Sequence, residues 1–290
     1  MTDVYAVTGN PIQHSRSPEI HRAFAAQSGE DLTYEARLGD PKHFESQVRE
    51  WFRAGLRGLN VTLPFKERAL GIADRLTERA QSAGAVNTLW IETNDQGDTT
   101  VHGDNTDGAG LVRDLRERQG APLRDARILI IGAGGATRGI LGPLLAQVPR
   151  SIMIANRSPE KALALAAAFR SAQAGPVAIP VDGCSLSALQ NGGAPPSFDL
   201  IIQATSAGMA GHRLDLDTRI AHRGSVACDL AYGPAAEPFR KWAQQAGIDH
   251  FSDGLGMLVE QAAEAFQIWR GVRPATQEIL ERLRASLSVA

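Results

Sequence analysis

Two polar segments contain the side chains best suited to proton transfer. Lys66 follows a short apolar run and Pro64, at the point where the pattern predicts that a helix begins. A cation in the first turn opposes the helix dipole, so helix stability does not explain a lysine there, whereas an amine can donate or accept a proton. The second segment, residues 103–108, is Gly-Asp-Asn-Thr-Asp-Gly and includes Asp107. Because exposed lysines and Asx turns are common in proteins, neither segment identifies a reaction by itself.

A third segment is suited to binding phosphate. The continuous apolar run at residues 127–131 is typical of a strand buried on both faces of a parallel sheet, and it leads directly into the glycine-rich turn 132–136. A helix from Thr137 to about Gln147 and a strand at residues 151–155 would complete a βαβ unit. Glycines at such a turn let backbone N–H groups approach a pyrophosphate. The order of elements therefore predicts a dinucleotide site, although Thr137 replaces the third glycine of the usual pattern and a tight turn without a ligand is the alternative.

The residues after the second strand of this unit indicate which dinucleotide is bound. An NAD-binding unit usually has an acidic residue there, which bonds the ribose 2′-hydroxyl. This chain has Asn-Arg-Ser at residues 156–158, with Lys161 one turn later. Since an arginine at this position can meet a 2′-phosphate, the sequence predicts NADP rather than NAD. The alternative is that Arg157 is an ordinary surface charge.

The composition limits the class of protein. The 290 residues suffice for two domains or one large one, and 43% hydrophobic with 21% charged residues predict a packed core. With 30 basic and 32 acidic residues, the net charge of −2 does not favour broad binding to nucleic acid. No apolar run reaches the roughly 18 residues that span a membrane, and no secretion signal is visible. Cys184 and Cys228 lie far apart without metal-site spacing, so we expect a cytoplasmic protein without disulfides or bound metal.

Short strands and helices alternate along the chain. A helix is predicted to begin with Ser17 as its N-cap and Pro18 at its first position. The chain is predicted to be helical from about Gly254 to its end, and the Gly- and Pro-rich residues 192–196 to form a loop. Strands are predicted at residues 4–9, 59–63, 85–91, 127–131, 151–155, 199–202 and 225–229.

Taken together, these motifs resemble the shikimate dehydrogenase family over essentially the full length of the chain. Two positions depart from the family pattern: Gln203 stands where an asparagine is common, and Lys161 where an arginine often helps to hold the 2′-phosphate. Lysine keeps the charge but loses the bidentate geometry of arginine. The matching segments are residues 9–11, 15–18, 60–66, 84–88, 103–108, 132–136, 156–158, 204–206, 229–232 and 253–258, with Gln261.

The resemblance implies an α/β fold with two domains and a cleft between them. Residues 1–106 and 254–290 would form a discontinuous α/β substrate-binding domain, and residues 107–253 a Rossmann-like NADP-binding domain. The implied activity is the reversible reduction of 3-dehydroshikimate to shikimate by NADPH, a step towards chorismate and the aromatic amino acids. The implied partner is this small-molecule substrate, with no nucleic acid and no membrane, and the chain would be a monomer or a homodimer.

The resemblance also implies roles for individual residues. Lys66 and Asp107 would form the catalytic pair, because hydride delivery to a ketone builds negative charge on oxygen that an ammonium can stabilise and protonate. The residues that would bind substrate are Ser15, Ser17, Thr62 and Tyr232 for the carboxylate, and Lys66, Asn87, Asp107 and Gln261 for the ring hydroxyls. The residues that would bind the cofactor are Gly132, Ala133, Gly134, Gly135, Ala136, Asn156, Arg157, Ser158, Lys161, Thr205, Gly254 and Met257.

Two other functions are compatible with the same scaffold. One is a quinate/shikimate dehydrogenase of broader substrate or cofactor range. Quinate has an extra hydroxyl at the carbon that bears the carboxylate, and Ser17 is the residue we associate with a preference for shikimate, where quinate users often have threonine. The other is a non-catalytic NADP-binding sensor. The presence of both Lys66 and Asp107 argues against a sensor, which needs no proton-transfer pair.

Overall fold

The computed structural model describes residues 2–173, 178–190, 197–205 and 215–288. The predicted loop at 192–196 lies outside these ranges. The chain divides into two compact units, which we call unit 1 (residues 1–110 and 259–290) and unit 2 (residues 111–258). Within the described ranges, no helix is both long enough and apolar enough to cross a membrane.

Unit 1 is built around a six-stranded mixed sheet. Its strand order is β2-β1-β3-β5-β6-β4, in which β1 pairs in parallel with β2 and β3, while β5 is antiparallel to β3 and β6. The elements are β1 (Asp3–Gly9), α1 (Ser17–Ser28), β2 (Leu32–Leu38), α2 (Phe44–Arg53), β3 (Leu56–Val61), α3 (Lys66–Ala69), β4 (Arg75–Leu76), α4 (Glu78–Ala83), β5 (Thr88–Thr93) and β6 (Thr99–Asp104).

The elements that follow form unit 2 and then complete unit 1. The boundaries between the units fall inside α5 and α9. In chain order the elements are α5 (Asp107–Glu117), β7 (Arg127–Ile131), α6 (Gly135–Leu145), β8 (Ser151–Asn156), α7 (Pro159–Ala172), β9 (Val181–Ser185), β10 (Phe198–Gln203), β11 (Ala221–Asp229), α8 (Glu237–Gln245), β12 (His250–Ser252), α9 (Leu255–Arg270) and α10 (Gln277–Ser288).

The sheet of unit 2 is entirely parallel, with the order β12-β11-β10-β7-β8-β9. Counted from β7, this is the 3-2-1-4-5-6 order of a Rossmann fold, in which ligands bind beyond the carboxyl ends of the first and fourth strands. Ile128 and Ile130 pack into one apolar cluster, whereas Leu129 and Ile131 pack into the cluster on the opposite face. Both faces of β7 are therefore covered, which confirms the strand predicted from its unbroken apolar run.

An aromatic cluster holds α9 against the first elements of unit 1. The His21 ring stacks on Tyr34 with centroids 4.1 Å apart, and Trp269 stacks on Tyr5 at 4.8 Å. Phe266 packs against His21 at 6.2 Å. This contact fixes α9, which also carries Gln261, on the sheet of unit 1.

Several predicted boundaries were wrong. Ser17 is the first residue of α1, so the N-cap is Arg16, whose side chain makes no capping hydrogen bond. The Ser17 N–H donates to Ser15 Oγ at 3.3 Å. The strand predicted at 59–63 begins earlier and ends at Val61. The strand predicted at 85–91 begins only at Thr88, and just before it the Val86 N–H donates to the carbonyl of Lys66, outside the sheet, at 2.8 Å.

Candidate active site

The predicted acid–base pair is in direct contact. Lys66 Nζ donates to Asp107 Oδ2 at 2.6 Å, although the two residues are 41 positions apart. Their side chains are only 18% and 7% exposed. Lys66 is the first residue of α3 and Asp107 the first of α5, and both lie in unit 1. Since α3 has only four residues, its dipole has little influence, and the ion pair with Asp107 accounts for the lysine at this position.

Asn87 holds the other oxygen of this carboxylate. Its Nδ2 donates to Asp107 Oδ1 at 2.8 Å and to Thr106 Oγ1 at 3.0 Å. Its Oδ1 accepts from the Thr106 N–H and from Thr88 Oγ1, both at 2.8 Å. Asn87 is 2% exposed, so water has little access to its amide. The Asp107 carboxylate is thus fixed between one cation and one amide.

Gln261 joins the same group of side chains from α9. Its Oε1 accepts from Asn87 Nδ2 at 3.4 Å and from Thr106 Oγ1 at 3.5 Å. Gly110 of α5 lies directly against Gln261, since a Cβ on Gly110 would be 2.6 Å from the backbone nitrogen of Gln261. The absence of a side chain at Gly110 therefore allows the two helices to approach closely enough for Gln261 to reach Asn87.

A buried path of hydrogen bonds connects Ser17 to Asn87. Ser17 interacts with the hydroxyl of Tyr34, which donates to Asn60 Oδ1 at 2.7 Å. Asn60 Nδ2 donates to the Asn87 carbonyl at 3.2 Å and to Thr88 Oγ1 at 3.1 Å. Burial raises the pKa of the Tyr34 hydroxyl well above 10, so it stays a proton donor at neutral pH. Ser17 and Asn87, predicted as parts of one site, belong to one network.

The predicted residues Ser15 and Thr62 both lie outside the regular elements of unit 1: Ser15 lies between β1 and α1, and Thr62 between β3 and α3. Thr62 follows β3, its N–H donates to the Thr8 carbonyl at 2.9 Å, and its methyl group would be 2.5 Å from a Cβ on Gly9. Ser15 Oγ accepts from the Ser17 N–H at 3.3 Å, so it lies beside the first turn of α1. Both hydroxyl side chains are partly exposed, as a role in binding requires.

Three residues of this hydrogen-bond network were not predicted individually. Thr106 and Asn105 belong to the polar run 103–108, which was the available signal. Asn105 Oδ1 accepts from the Asp107 N–H at 3.2 Å, so it fixes the backbone that carries the carboxylate. Tyr34 gave no signal, because an aromatic residue in a strand is expected to pack in the core.

The glycine-rich turn of unit 2 is shaped to receive a phosphate. Gly132 has φ +116°, and a Cβ there would meet Thr205 at 3.0 Å, so only glycine lets the turn pass this close to the end of β10. Gly134 caps α6 without a side-chain hydrogen bond, and the space where its Cβ would lie is open. No acidic residue occupies the first turn of α6. The turn 132–136 therefore presents a helix N-terminus that fits a dinucleotide pyrophosphate.

The side chains of Thr137 and Gln203 form hydrogen bonds that stabilise this turn and its neighbour Thr205. Thr137 Oγ1 donates to the Gly132 carbonyl at 2.9 Å and is fully buried, so the residue in place of the third glycine stabilises the turn from within. Gln203, the other departure from the family pattern, accepts from the Thr205 N–H at 3.0 Å and holds Thr205 beside the glycines. Helix α6 begins at Gly135, two residues before the predicted start at Thr137.

The basic residues after β8 are exposed. Asn156 Nδ2 donates to the Ser158 carbonyl at 3.0 Å and shapes the turn that displays Arg157. Arg157 and Lys161 are both exposed, and neither forms an ion pair with any residue in the described part of the chain. Their charges fit the 2′-phosphate that distinguishes NADP from NAD.

The remaining predicted residues, Tyr232, Gly254 and Met257, lie in unit 2. A Cβ on Gly254 would be 2.1 Å from the Leu230 carbonyl oxygen, so this glycine is required for packing whatever its role towards a ligand. Met257 is half-buried against the apolar core of the unit. Their predicted contacts with substrate and cofactor stay predictions.

Three family profiles match successive parts of the chain. The profile described as "Shikimate dehydrogenase substrate binding domain" matches residues 7–89, and "Shikimate / quinate 5-dehydrogenase" matches residues 114–210. A third, "Shikimate 5'-dehydrogenase C-terminal domain", matches residues 254–284.

Relatives are similar over their whole length. The "Shikimate dehydrogenase (NADP(+))" of Alcanivorax borkumensis is 51% identical over 283 residues, covering 98% of this chain and 97% of the relative. That of Dechloromonas aromatica is 50% identical and covers 99% of both. Shikimate 5-dehydrogenase of Thermus thermophilus, solved with NADP(H) and shikimate, superposes with a TM-score of 0.81 at 30% identity, covering 98% of this chain and 99% of that one. The chain belongs to the shikimate dehydrogenase family.

Proposed function

We propose that this chain catalyses the reversible NADPH-dependent reduction of 3-dehydroshikimate to shikimate, with Lys66 as the proton donor. The observation that carries the proposal is the 2.6 Å contact between Lys66 and Asp107, anchored on its far side by Asn87. Relatives that share about half of its residues are named for this activity and this cofactor.

In this mechanism NADPH supplies the hydride that reduces the substrate ketone. Lys66 stabilises the negative charge that develops on the ketone oxygen and gives that oxygen its proton, which completes the hydroxyl group of shikimate. Asp107 orients the Lys66 ammonium, and Asn87 keeps Asp107 from rotating. Because the pair is largely buried, its electrostatic effect is stronger than it would be in water. In the reverse direction Lys66 accepts the proton.

We further propose that the substrate is held by the side chains linked to this pair. The ring hydroxyls would bind Lys66, Asn87, Asp107 and Gln261, which the hydrogen bonds of unit 1 bring together. The carboxylate would bind the hydroxyls of Ser15, Ser17, Thr62 and Tyr232. The buried path from Ser17 through Tyr34 to Asn60 supports a common site for the carboxylate and the ring.

We propose that residues 107–253 bind NADP and that residues 1–106 and 254–290 bind the substrate. The turn 132–136 would bind the pyrophosphate, Arg157 and Lys161 the 2′-phosphate, and Asn156, Ser158, Thr205, Gly254 and Met257 the rest of the cofactor. The proposed assembly is a monomer or a homodimer. We place the reaction in the cytoplasm, in keeping with a reductive biosynthetic activity and the free thiols of Cys184 and Cys228.

A spectrophotometric assay tests the proposal directly. Shikimate and quinate, each with NADP and with NAD, are compared by the formation of reduced nicotinamide. We expect the highest kcat/KM with shikimate and NADP. A higher kcat/KM for quinate would instead assign the chain to the quinate-using branch, and no turnover with either acid would favour a non-catalytic NADP-binding protein.

A further inference from the structure

Five side chains of alternating charge form a row in unit 1, in the order Asp104, Arg79, Glu264, Arg273 and Glu260. Arg79 of α4 binds Asp104 with two nitrogens, Nε to Oδ1 at 2.7 Å and Nη2 to Oδ2 at 2.6 Å. Its third nitrogen, Nη1, donates to Glu264 Oε1 at 3.0 Å. Arg273 then bridges Glu264 at 2.9 Å and Glu260 at 2.5 Å. One guanidinium thus joins the end of strand β6 to helix α9.

Burial makes this row different from a surface ion pair. The side chains of Asp104 and Glu260 are 3% and 2% exposed, and that of Arg79 is 29% exposed. A buried carboxylate that loses its cation is strongly unfavourable, so Asp104 must keep its position as long as Arg79 is in place. An exposed pair would have no such constraint, because water could replace either partner.

One end of the row determines where Asp107 lies. Asp104 Oδ1, besides binding Arg79, accepts from the Asn105 N–H at 2.6 Å. Asn105 in turn accepts from the Asp107 N–H at 3.2 Å and donates to the Ala85 carbonyl at 3.0 Å. The carbonyl of Asp104 also accepts from the Asn87 N–H at 3.0 Å. Asn87 and Asn105, the two residues that hold Asp107, therefore both donate their backbone N–H groups to Asp104.

The other end reaches the helix that carries Gln261. Glu260 immediately precedes Gln261, and Glu264 lies one turn later on α9. Glu260 Oε1 also accepts from Thr276 Oγ1 at 2.6 Å, which joins the start of α10 to the same row. A shift of α9 would move Gln261 away from Asn87.

We propose that Arg79 is a positioning residue for the reaction: its guanidinium holds Asp104 and α9 in the register that brings Asp107 and Gln261 to Asn87. None of the hydrogen bonds that Arg79 makes within the described residues goes to Lys66, Asp107 or Asn87, so it acts through Asp104 and Glu264. The inference rests on the proposed function, because it predicts the effect of Arg79 on that reaction.

The experiment compares Arg79→Gln and Arg79→Lys with the control Arg270→Gln. Arg270 is the last residue of α9, is 19% exposed and pairs with two carboxylates, Asp3 and Glu30, away from the network of Lys66. For each variant, kcat, the KM for shikimate, the KM for NADP and the thermal midpoint are measured. The control reports what the loss of a comparable ion-pair network does to stability alone.

We expect Arg79→Gln to lower kcat about 10- to 100-fold and to raise the KM for shikimate, because displacements near 1 Å at a reacting centre have effects of this size. The KM for NADP should not change. Arg79→Lys should recover part of kcat, since it restores the charge without the bidentate geometry. Arg270→Gln should lower the thermal midpoint and leave all three kinetic constants near wild type.

Two results would overturn the inference. If Arg79→Gln and Arg270→Gln lower the thermal midpoint alike and both keep wild-type kcat and KM for shikimate, Arg79 serves only stability. If Arg79→Gln does not fold, unaltered kinetics in Arg79→Lys and Glu264→Gln would likewise restrict Arg79 to stability. A wild-type chain that does not turn over shikimate would overturn the proposed function together with the inference, which separates the two kinds of failure.

Discussion

The charged side chains around Lys66 and those after β8 differ in burial and in pairing. Lys66, Asp107 and Asn87 are largely buried and fully engaged with one another. Arg157 and Lys161, in contrast, are exposed and form no ion pair within the described part of the chain. Folding alone organises the first site, whereas the second keeps its cations available for a ligand. Mutations at the first should therefore mainly change the rate of the reaction, and mutations at the second mainly the affinity for the cofactor.

The largest effect is expected at the lysine. Lys66→Ala should lower kcat by about 10²–10⁴-fold, the usual contribution of a general acid–base, with a modest change in the KM for shikimate. Lys66→Arg should not restore activity, because a guanidinium does not release its proton near neutral pH. The exposed Lys42 supplies the control, since Lys42→Ala removes the same charge from the surface of the same unit. Steady-state kinetics with a near-normal kcat in Lys66→Ala would remove the lysine from the mechanism.

The next effect tests whether the pair acts as one unit. Asp107→Asn preserves the shape of the side chain but removes the charge that orients Lys66. The double variant Lys66→Ala/Asp107→Asn should be scarcely slower than Lys66→Ala alone, because residues that act together are strongly non-additive. The kcat and the thermal midpoint are measured on all three variants. Additive losses in kcat, or a lower midpoint with intact catalysis in Asp107→Asn, would make Asp107 a structural residue.

A change at the proposed cofactor site should alter the KM for NADP. Arg157→Ala should raise the KM for NADP about 10- to 100-fold, corresponding to the loss of a hydrogen bond to a charged group, and leave the KM for NAD nearly unchanged. Arg150 is also exposed in unit 2 but lies at the start of β8, so Arg150→Ala is the matched control. Equal changes in KM for both cofactors would mean that Arg157 does not recognise the 2′ position.

The smallest effect concerns a buried group of unit 1 that has no ligand role. Burial lowers the pKa of His21 from 6.5 to about 3. Because the unfolded chain binds this proton below pH 6.5 and the folded chain does not, the stabilising contribution is present above pH 6.5 and is lost as the pH falls. Between pH 7 and pH 5, wild type should lose about 2 kcal/mol more unfolding free energy than His21→Phe. Urea unfolding at the two pH values measures the difference, and equal losses would mean that His21 is protonated in the folded protein.

Local sequence patterns predicted those elements whose structure is determined by neighbouring residues in the sequence. The apolar run of β7 predicted a strand covered on both faces, and the glycines that follow it predicted a tight turn into a helix, because backbone geometry depends on adjacent residues. Ser17 was predicted as an N-cap on the same local basis, and this was wrong because the helix already includes Ser17 and Arg16 occupies the N-cap position. The partners of Asn87 lie up to 174 positions away, so no local pattern could reveal that network. Arg79 looked like any other charged helix residue for the same reason.

The position of Gln261 on α9 has a consequence for the order of events during synthesis. Residues up to Gly110 and those from Val259 onward belong to unit 1, so unit 2 is translated between its two parts. At about 5–20 residues per second, this interval lasts roughly 7–30 s. During it, the rings of Tyr5, His21 and Tyr34 lack the cover of Phe266 and Trp269 on α9. Until α9 is synthesised, the growing chain therefore exposes an apolar aromatic surface and also lacks Gln261. We expect a ribosome that stalls before α9 to leave a product that is both inactive and prone to aggregation.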